Sequence, residues 1–459
     1  MIRRLRERKG FDSPRRLLAR TAMIEGRLIV CIGSSWDYDP TSKHHVMKRL
    51  ARRNTVLWVN YHASRKPGRT RGDLGHALRV LRKVGRGLIP VSPTLHQLTP
   101  LVIPGASRPS LSRLHERLVI AQIRRAVARL NPARRKPIQV WTFAPDVPFL
   151  AGALDEECFI YYCVDEFTLF DGFDARRIAD LERRQLARAD LVITSAETLY
   201  ENRRTRHPNV VLVRHGVEFD HFAAAWRKRL PPPQDLAEIP RPLFGYVGLI
   251  HHWVDVELLA ETARKRPYYS FVLIGDVRTD VTPLRDLDNV FLLGRRPYAD
   301  LPAYCSAFAA GLMLFRQNEL SRHVNPIKMA EYLAAGLPVI STPLPEAARF
   351  PGPIRFAASP RAFARACDAV LTARETLDRA AIARCVADQD WNAKVEHISQ
   401  LVQSAARNAS PVRSKPVREV LPIREHMAPA SRRRPEAITD EHDRDRPDKA
   451  ATVTTEPRP

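Results

Sequence analysis

The sequence lacks the cysteine patterns on which metal and disulfide sites depend. Its six cysteines lie mostly inside apolar segments, and none forms a CxxC pair or joins histidines at zinc-binding spacing. No DxD-type acidic metal site stands out. We therefore expect reduced cysteines in the core of a cytoplasmic protein, and neither a bound metal nor a cofactor.

Long apolar segments are also missing. No run reaches the ~20 residues that a membrane-spanning helix needs. The arginine-rich start of the chain has no apolar centre of the kind found in secretory signals. The chain shows no helix-turn-helix, zinc or RNA-recognition signature, and its basic residues are dispersed. Nucleic-acid binding therefore stays an alternative that rests on charge alone.

Positive charge is what the sequence has in excess. The 459 residues carry a formal net charge of +24, and the pI is about 10.4, which favours an anionic partner. Hydrophobic residues make up 44% of the chain, as in globular proteins. The length is sufficient for two or three domains with full cores.

Short apolar segments alternate with helical patterns in two series, which is typical of doubly wound α/β domains. The first series is RLIVCIG, TVLWVNY, IQVWTF, FIYYCVD, DLVITSA and NVVLVRHG, and it predicts a Rossmann-like domain over residues 26–222. The second series is LFGYVGL, YSFVLIGD, NVFLLG, AAGLMLF, LPVIST and IRFAAS, and it predicts another such domain over residues 242–380.

The remaining segments have a different composition. The proline-rich residues 223–241 predict a linker, because proline neither continues a helix nor pairs within a sheet. Residues 381–404 predict terminal helices that return to the first domain. Residues 1–25 are a basic extension, and residues 405–459 are charged and rich in proline, which is typical of disordered tails.

The segment His323–Glu346, HVNPIKMAEYLAAGLPVISTPLPE, predicts a helix that leads into a strand. Asn325 is expected to be the N-cap and Pro326 the first helical residue. Lys328 and Glu331 then share one face near the helix N-terminus, where free N–H groups bind phosphate. A phosphate at the helix N-terminus and a sugar hydroxyl a few ångströms away would suit this pair. The alternative is an ordinary surface ion pair.

Small and polar residues follow the strands at the edge where open α/β sheets bind ligands. In the first domain these are Gly33, Ser34, Ser35, Asp165 and Glu166, and in the second they include Gly248 and Asp276. We therefore predict a cleft between the two domains. Asp165 would lie on its acceptor side as a base or a hydroxyl ligand. The alternative for Asp165 is a helix N-cap shared with Glu166.

The second series resembles the nucleotide-sugar-binding half of GT-B glycosyltransferases of family 4, also called group 1, with exopolysaccharide and teichuronic-acid-assembly relatives. The similar pieces are GYVGLIHHWVDVELL, FVLIGD, NVFLLGRRPYADLPAYCSAFAAGLML and NPIKMAEYLAAGLPVISTPLPE. In the first domain, YYCVDE, RADLVITSAETL and VRHGVEFDHF resemble the segments that lead to the linker. The resemblance covers most of residues 27–400. It implies a metal-independent, hexosyltransferase-like enzyme with two Rossmann-like domains, whose substrate is a nucleoside-diphosphate sugar.

The resemblance also implies roles for individual residues. Glu331 matches the acidic residue that binds the nucleotide ribose, and Lys328 matches a basic residue that faces the donor phosphates. The predicted catalytic residues are Asp165 and Lys328. The predicted donor site consists of Gly248, His251, His252, Asp276, His323, Asn325, Pro326, Ile327, Lys328 and Glu331.

Two positions depart from the family pattern. His323 stands where the family has a second Glu, eight residues before the ribose-binding one. His251 and His252 stand where Arg and Lys usually follow the first strand, and they would either meet the diphosphate or be surface residues. Family 4 resemblance favours retention of the anomeric configuration, but the missing Glu leaves retention or inversion open. A sugar-nucleotide 2-epimerase of the same fold stays an alternative.

Residues 64–88, SRKPGRTRGDLGHALRVLRKVGRGL, are strongly cationic, and part of this stretch is amphipathic. Such a segment suits a peripheral enzyme on the anionic inner face of the cell membrane, where a lipid-linked acceptor would lie. The alternative is a solvated arginine-rich surface. The predicted partners are therefore a nucleotide sugar donor, a saccharide or lipid-linked acceptor and an anionic membrane surface, without nucleic acid.

Overall fold

The computed structural model describes residues 23–38, 40–61, 82–103, 109–228 and 230–409. Eight strands between residues 28 and 212 form one sheet, and six strands between residues 243 and 356 form a second. The predictions for the first 22 residues, for most of the cationic stretch and for the tail beyond residue 409 lie outside the described residues.

The first sheet has the strand order β3-β4-β2-β1-β5-β6-β7-β8. Its neighbours are parallel except for β3 and β4, which are antiparallel, so the carboxyl ends of seven strands share one edge. The strands are β1 (Leu28–Gly33), β2 (Thr55–Asn60), β3 (Leu88–Pro90), β4 (Leu95–Leu98), β5 (Ile138–Thr142), β6 (Cys158–Cys163), β7 (Leu191–Thr194) and β8 (Val210–Leu212).

Helices cover the first sheet, as its almost unbroken apolar strands require. They are α1 (Ser42–Leu50), α2 (Pro109–Leu130), α3 (Ala175–Leu186) and α4 (Glu197–Arg204). Large side chains such as Trp58, Trp141 and Tyr162 are fully buried between the layers. The strands β3 and β4 were not predicted, because their short, proline-flanked sequence is half-buried and lacks a continuous apolar pattern.

The second sheet is parallel throughout, with the order β11-β10-β9-β12-β13-β14. Its strands are β9 (Leu243–Val247), β10 (Ser270–Ile274), β11 (Val290–Gly294), β12 (Ala310–Met313), β13 (Val339–Ser341) and β14 (Ile354–Phe356). The accompanying helices are α5 (Phe219–Arg227), α6 (Val256–Lys265), α7 (Leu301–Ala307), α8 (Glu319–Arg322), α9 (Ile327–Ala334), α10 (Pro360–Thr372) and α11 (Arg379–Arg384).

The segment predicted as a linker packs against the second domain. Helix α5 continues to Arg227, and Phe222 and Ala225 are buried in the core of the second domain. Leu236 and Ile239 join the same core. The apolar residues between the prolines therefore anchor this segment on the second domain, although its proline-rich composition is typical of a linker. The domain bounds themselves stay predictions.

The chain returns to the first domain through its last described helix, α12 (Trp391–Asn408). Trp391, Val395, Ile398 and Val402 are buried in the first-domain core. The helix crosses over Gly216, where a Cβ atom would lie 2.7 Å from the Trp391 ring, so a larger residue would displace the tryptophan. The earlier helix α11 packs instead on the second domain through Ile382.

Candidate active site

Segments at the carboxyl ends of both sheets face each other across a cleft. The Asn325 amide, after β12, donates a 2.7 Å hydrogen bond to the carbonyl of Ser195, which follows β7. The Thr198 hydroxyl donates to the Arg322 carbonyl at 3.1 Å. In a third contact between the domains, His252 Nε2 lies 3.7 Å from a carboxylate oxygen of Asp171. The predicted residues of both domains therefore lie on the two sides of one cleft.

Helix α9 begins one residue later than the sequence predicts. Pro326 has an extended conformation, with φ −76° and ψ 120°, and is the N-cap, so the first helical residue is Ile327. The prediction that Asn325 is the N-cap is wrong, because its side chain is used in the contact with Ser195. The helix ends before Gly336, which has φ +67°, a conformation that glycine adopts without strain.

Lys328 and Glu331 form an ion pair on α9, with 2.6 Å between Nζ and Oε2. The pair differs from an ordinary surface pair, because the Glu331 side chain is only 3% exposed. The Lys328 ammonium also lies 5.8 Å from the centre of the Tyr298 ring. Burial and the nearby Glu331 carboxylate raise the pKa of the Tyr298 hydroxyl. Glu331 therefore sits in an enclosed polar site beside the first turn of α9, whose N–H groups lack helical partners.

Two touching loops follow β9 and β10 at the carboxyl edge of the same sheet. Gly248 has φ +155° and Gly275 φ +150°, and a Cβ atom on Gly275 would lie 1.9 Å from the Gly248 carbonyl oxygen. Only glycine allows this approach. Beyond Gly248, the His251 ring stacks on Trp253 with 4.4 Å between the ring centres. The predicted Asp276 is exposed, and its carboxylate lies 3.9 Å from Arg278.

His323 faces the first domain. Its Nδ1 atom is buried without a hydrogen-bond partner in the described parts of the chain, and its Nε2 atom lies 3.4 Å from Glu319. Its neighbours Arg322 and Asn325 contact the first domain through Thr198 and Ser195. His323, at the position of the second Glu in the family pattern, therefore lies where the two domains meet.

Asp165 and Glu166 follow β6 and have different environments. Glu166 forms ion pairs with Arg203 and accepts a 2.6 Å hydrogen bond from the Thr168 hydroxyl. Glu166 precedes a short 3₁₀ turn, Phe167–Leu169, without a side-chain capping bond, so the structure does not support the alternative that Asp165 and Glu166 form an N-cap. Asp165 stays at the cleft edge, where burial raises its pKa and Lys43 acts in the opposite direction.

The ion pair of Glu166 belongs to a buried network. Arg203 Nη2 donates to Glu182 at 2.9 Å, and the Tyr161 hydroxyl donates to the same carboxylate at 2.6 Å. The Arg203 side chain is 2% exposed. These contacts hold the loop that carries Asp165 at the edge of the sheet.

Sequence reasoning missed three residues of the first-domain edge: Lys43, Lys83 and Arg203. Lys43 is in the first turn of α1, and Lys83 Nζ lies 3.4 Å from the Ser35 hydroxyl and forms an ion pair with Asp37. No local signal could have found them, because their partners are distant in the chain. Among the described residues, no group of three His, Cys, Asp or Glu side chains could hold a metal ion.

Comparison with known proteins agrees with this geometry. Residues 241–373 match the model of the family described as Glycosyl transferases group 1. Over 274 residues, the chain is 28% identical to TuaH of Bacillus subtilis (strain 168), a protein named for a teichuronic acid biosynthesis glycosyltransferase; the match covers 55% of this chain and 68% of TuaH.

Solved structures share the fold. HepE of Anabaena, solved in complex with UDP and glucose, has a TM-score of 0.60 at 13% identity, over 82% of this chain and 100% of HepE. Sucrose-phosphate synthase of Thermosynechococcus elongatus has a TM-score of 0.59 at 16% identity, over 83% and 100%.

The two parallel sheets around a cleft and the helix α9 define a glycosyltransferase of the GT-B fold. More narrowly, residues 241–373 of the second domain match the group 1 glycosyltransferases, and over a wider range the chain is similar to TuaH, which is named for a glycosyltransferase as well. These findings confirm the predicted fold and enzyme class. None of the matches described supports the 2-epimerase alternative.

Proposed function

We propose that the protein transfers a sugar from a nucleoside-diphosphate sugar to a saccharide or lipid-linked acceptor in the assembly of a cell-surface polysaccharide. The observation that carries this proposal is the enclosed Lys328–Glu331 pair at the start of α9, opposite Asp165. TuaH, named for teichuronic acid biosynthesis, and HepE, solved with UDP and glucose, support the substrate class.

The donor would bind with its ribose on Glu331 and its diphosphate at the N-terminus of α9. The Lys328 ammonium, now paired with Glu331, would turn to the phosphate, while a ribose hydroxyl donates to the carboxylate in its place. His251 and His252 lie on the loop after β9, and with Lys328 they would hold the diphosphate charge without a metal ion. Such stabilisation matters most as the glycosidic bond breaks and negative charge grows on the leaving group.

Asp165 would act on the acceptor. It follows β6 at the carboxyl edge of the first sheet, opposite the donor domain, and burial raises the pKa of its carboxyl group towards the range useful for a general base. The acceptor oxygen forms its bond to the anomeric carbon as the bond to the diphosphate breaks. The hydroxyl proton passes to Asp165, and the electron pair leaves with the nucleoside diphosphate.

A panel of nucleotide sugars tests this function. The purified full-length protein should be incubated with UDP-, ADP-, GDP- and dTDP-sugars, with and without saccharide and lipid-linked acceptors, while release of nucleoside diphosphate is measured. We expect acceptor-dependent release with one nucleotide, and a loss of roughly 10²–10⁴-fold in Asp165→Asn, the range of general base catalysis. Conversion of the donor to an epimer without any acceptor would overturn the proposal.

We also propose that the enzyme works at the surface of an anionic membrane. In the described parts of the chain, no helix is long and apolar enough to cross a membrane. Arg82 and Arg86, the described arginines of the cationic stretch, are exposed. A peripheral position would bring the cleft to a lipid-linked acceptor.

A further inference from the structure

A buried carboxylate at the edge of the second sheet binds the first domain. Glu346 follows β13, and its side chain is only 3% exposed. Its Oε1 atom accepts a 2.7 Å hydrogen bond from the Glu197 N–H group, and its Oε2 atom accepts one of 2.8 Å from Arg214 Nε. Because Glu197 begins α4 and Arg214 follows β8, both carboxylate oxygens of Glu346 are used in contacts with the first domain.

Glu346 supplies the cap that the start of α4 lacks. The N-cap residue of this helix is Ala196, whose side chain cannot accept a hydrogen bond. The first N–H groups of a helix have no partner within the helix, and the helix dipole favours negative charge beside them. Arg214 also pairs with the Glu197 carboxylate, so it faces negative charge from both domains. A carboxylate of the second domain therefore caps a helix of the first.

The region around the start of α4 makes two further contacts with the second domain. The Thr198 hydroxyl donates to the Arg322 carbonyl at 3.1 Å. The Ser195 carbonyl accepts a 2.7 Å hydrogen bond from the Asn325 amide. Asn325 directly precedes Pro326, the N-cap of α9. The second domain therefore holds one short segment of the first at three points, and one of these points adjoins the start of α9.

Ser195 connects this region to Asp165. Its side chain is fully buried, and its hydroxyl donates a 3.0 Å hydrogen bond to the carbonyl of Val164, the residue before Asp165. The Ser195 N–H group donates to the carbonyl of Cys163 at 3.2 Å. Two hydrogen bonds, one on each side of Ser195, therefore lead from Asn325 at the start of α9 to the residue before Asp165.

We propose that Glu346 is a positioning residue for sugar transfer, which holds the start of α9 at a fixed distance from Asp165. This inference rests on the proposed function, in which the donor binds at α9 and Asp165 receives the proton of the acceptor hydroxyl. Glu346 itself touches neither substrate in this role. Separation of the domains would break its ion pair with Arg214 and its cap on α4 together, so it opposes that movement. Transfer requires such control, because the reacting atoms must approach to about 3–3.5 Å.

Pulsed electron paramagnetic resonance on the full-length protein measures the spacing of the domains without any substrate. Nitroxide labels at Arg129→Cys on α2 and Arg365→Cys on α10, both exposed, are introduced together with Cys385→Ser, which removes an exposed thiol. We expect Glu346→Ala to give a longer or broader distance distribution than this labelled parent. Glu261→Ala removes an exposed carboxylate of α6 and should leave the distribution unchanged. An unchanged distribution in a folded Glu346→Ala protein would overturn the inference.

The variant Glu346→Gln covers the case in which the alanine variant does not fold. Its amide oxygen can still accept from the Glu197 N–H group, but the amide has no charge for Arg214. We expect a distance distribution between those of the labelled parent and Glu346→Ala. If the alanine variant does not fold, Glu346→Gln decides alone, and a distribution equal to that of the labelled parent overturns the inference.

Kinetics separate this inference from the proposed function. With the nucleotide sugar that the panel selects, Glu346→Ala should lower kcat roughly 10²-fold, as for a displacement of about 1 Å, with little change in the donor KM. A raised donor KM with unchanged kcat would place Glu346 in donor binding and overturn the inference. If the distance responds but the wild-type protein transfers sugar from no donor, the proposed function fails and the interdomain contact stands. If the protein transfers sugar but the distance does not respond, only this inference fails.

Discussion

The charges on the two sides of the cleft are balanced in different ways. On helices α8 and α9 of the second domain the partners are neighbours in sequence: Lys328 pairs with Glu331 and Arg322 with Glu319, three residues apart in each case. Beside the edge of the first sheet two pairs are distant, since 37 residues separate Arg203 from Glu166 and 46 separate Lys83 from Asp37. The α9 side of the cleft, which we propose binds the donor, therefore depends on one helix, whereas the first-domain side, which we propose binds the acceptor, depends on the whole sheet being folded.

This difference makes opposite predictions for substitutions on the two sides. A change on α9 should act mainly on donor binding, because its pair is local and the helix is held by its apolar face. A change in the Arg203 network should act mainly on folding, because it leaves carboxylates buried without a counter-charge.

The largest effect is expected for Arg203→Met. This change leaves Glu166 and Glu182 buried and unpaired, and breaking a buried ion pair by removing one partner costs about 3–5 kcal/mol. Urea unfolding followed by circular dichroism measures the free energy of unfolding. Arg204→Met is the matched control, because Arg204 is the next residue, is exposed, and has local partners in Glu201 and the Tyr200 ring. That control should change stability by at most ~0.5 kcal/mol. Equal results for the two variants would mean that the Arg203 network does not hold the acceptor side.

The same contrast explains which parts of the molecule could be predicted. The strands with continuous apolar runs, β1, β2 and β5 to β14, correspond to segments quoted from the sequence, because buried parallel strands are almost uniformly apolar. The Lys328–Glu331 pair could be predicted because its spacing matches the helix period.

The residues on the first-domain side of the cleft could not be predicted, because their partners are distant in the sequence. Nothing near Lys43 in the sequence TSKHHVMKRL distinguishes it from Lys48 five residues later, yet the fold leaves Lys43 half-buried and Lys48 exposed. Asn325 was misassigned as a cap because its true partner, the Ser195 carbonyl, lies in the other domain. Long-range pairing decides both cases, and a single sequence carries no local signal of it.

Glu331→Ala tests the donor side. If the carboxylate binds the ribose hydroxyls, donor affinity should fall by about 1.5–3 kcal/mol, the contribution of hydrogen bonds to a charged group, or roughly 10- to 100-fold. Calorimetric titration with the cognate nucleoside diphosphate measures this loss. Glu261→Ala, which removes an exposed carboxylate on α6, is the control and should bind normally. If the Glu331→Ala protein is folded and its nucleotide affinity is unchanged, the Lys328–Glu331 ion pair has a structural role and does not bind the donor.

A smaller effect of pH is expected from His44 on α1. Its Nδ1 atom accepts a 3.1 Å hydrogen bond from the Thr41 N–H group, and burial is the main cause of its pKa of about 3. Below pH ~6.5 His44 binds a proton in the unfolded chain but stays neutral in the folded protein. The free energy of unfolding therefore decreases by about 1.4 kcal/mol for each unit by which the pH is lowered. At pH 5 the loss should reach about 2 kcal/mol.

Urea unfolding at pH 7 and pH 5 measures the effect of His44, and the variant His44→Gln isolates it. The amide cannot titrate, so the variant should lose less stability than wild type between the two pH values. A parallel decline in both proteins would assign the pH dependence to other groups.

The smallest effect per residue concerns the membrane. Lys83 belongs to the cationic stretch, but its ammonium group contacts Ser35 and Asp37 in the loop after β1. A substitution of Lys83 would therefore disturb that loop as well as any contact with lipid. Arg82 and Arg86 are exposed and have no such role. Each arginine near an anionic surface should contribute about 1 kcal/mol.

The test is sedimentation of the full-length protein with vesicles that contain anionic lipid, compared with neutral vesicles. Arg82→Gln and Arg86→Gln together should weaken binding to the anionic vesicles, and binding should also fall steeply with salt, because the attraction fades within a Debye length of ~10 Å at 0.1 M. Arg361→Gln with Arg365→Gln, on exposed positions of α10 in the other domain, is the matched control for lost charge. Donor affinity should stay the same in all variants, since these arginines lie outside the donor site.

If the α10 variant loses as much binding as the first-domain variant, the attraction follows net charge and no docking face exists at residues 82–86. If neither loses binding but deletion of residues 410–459 abolishes it, the anchor is the charged tail.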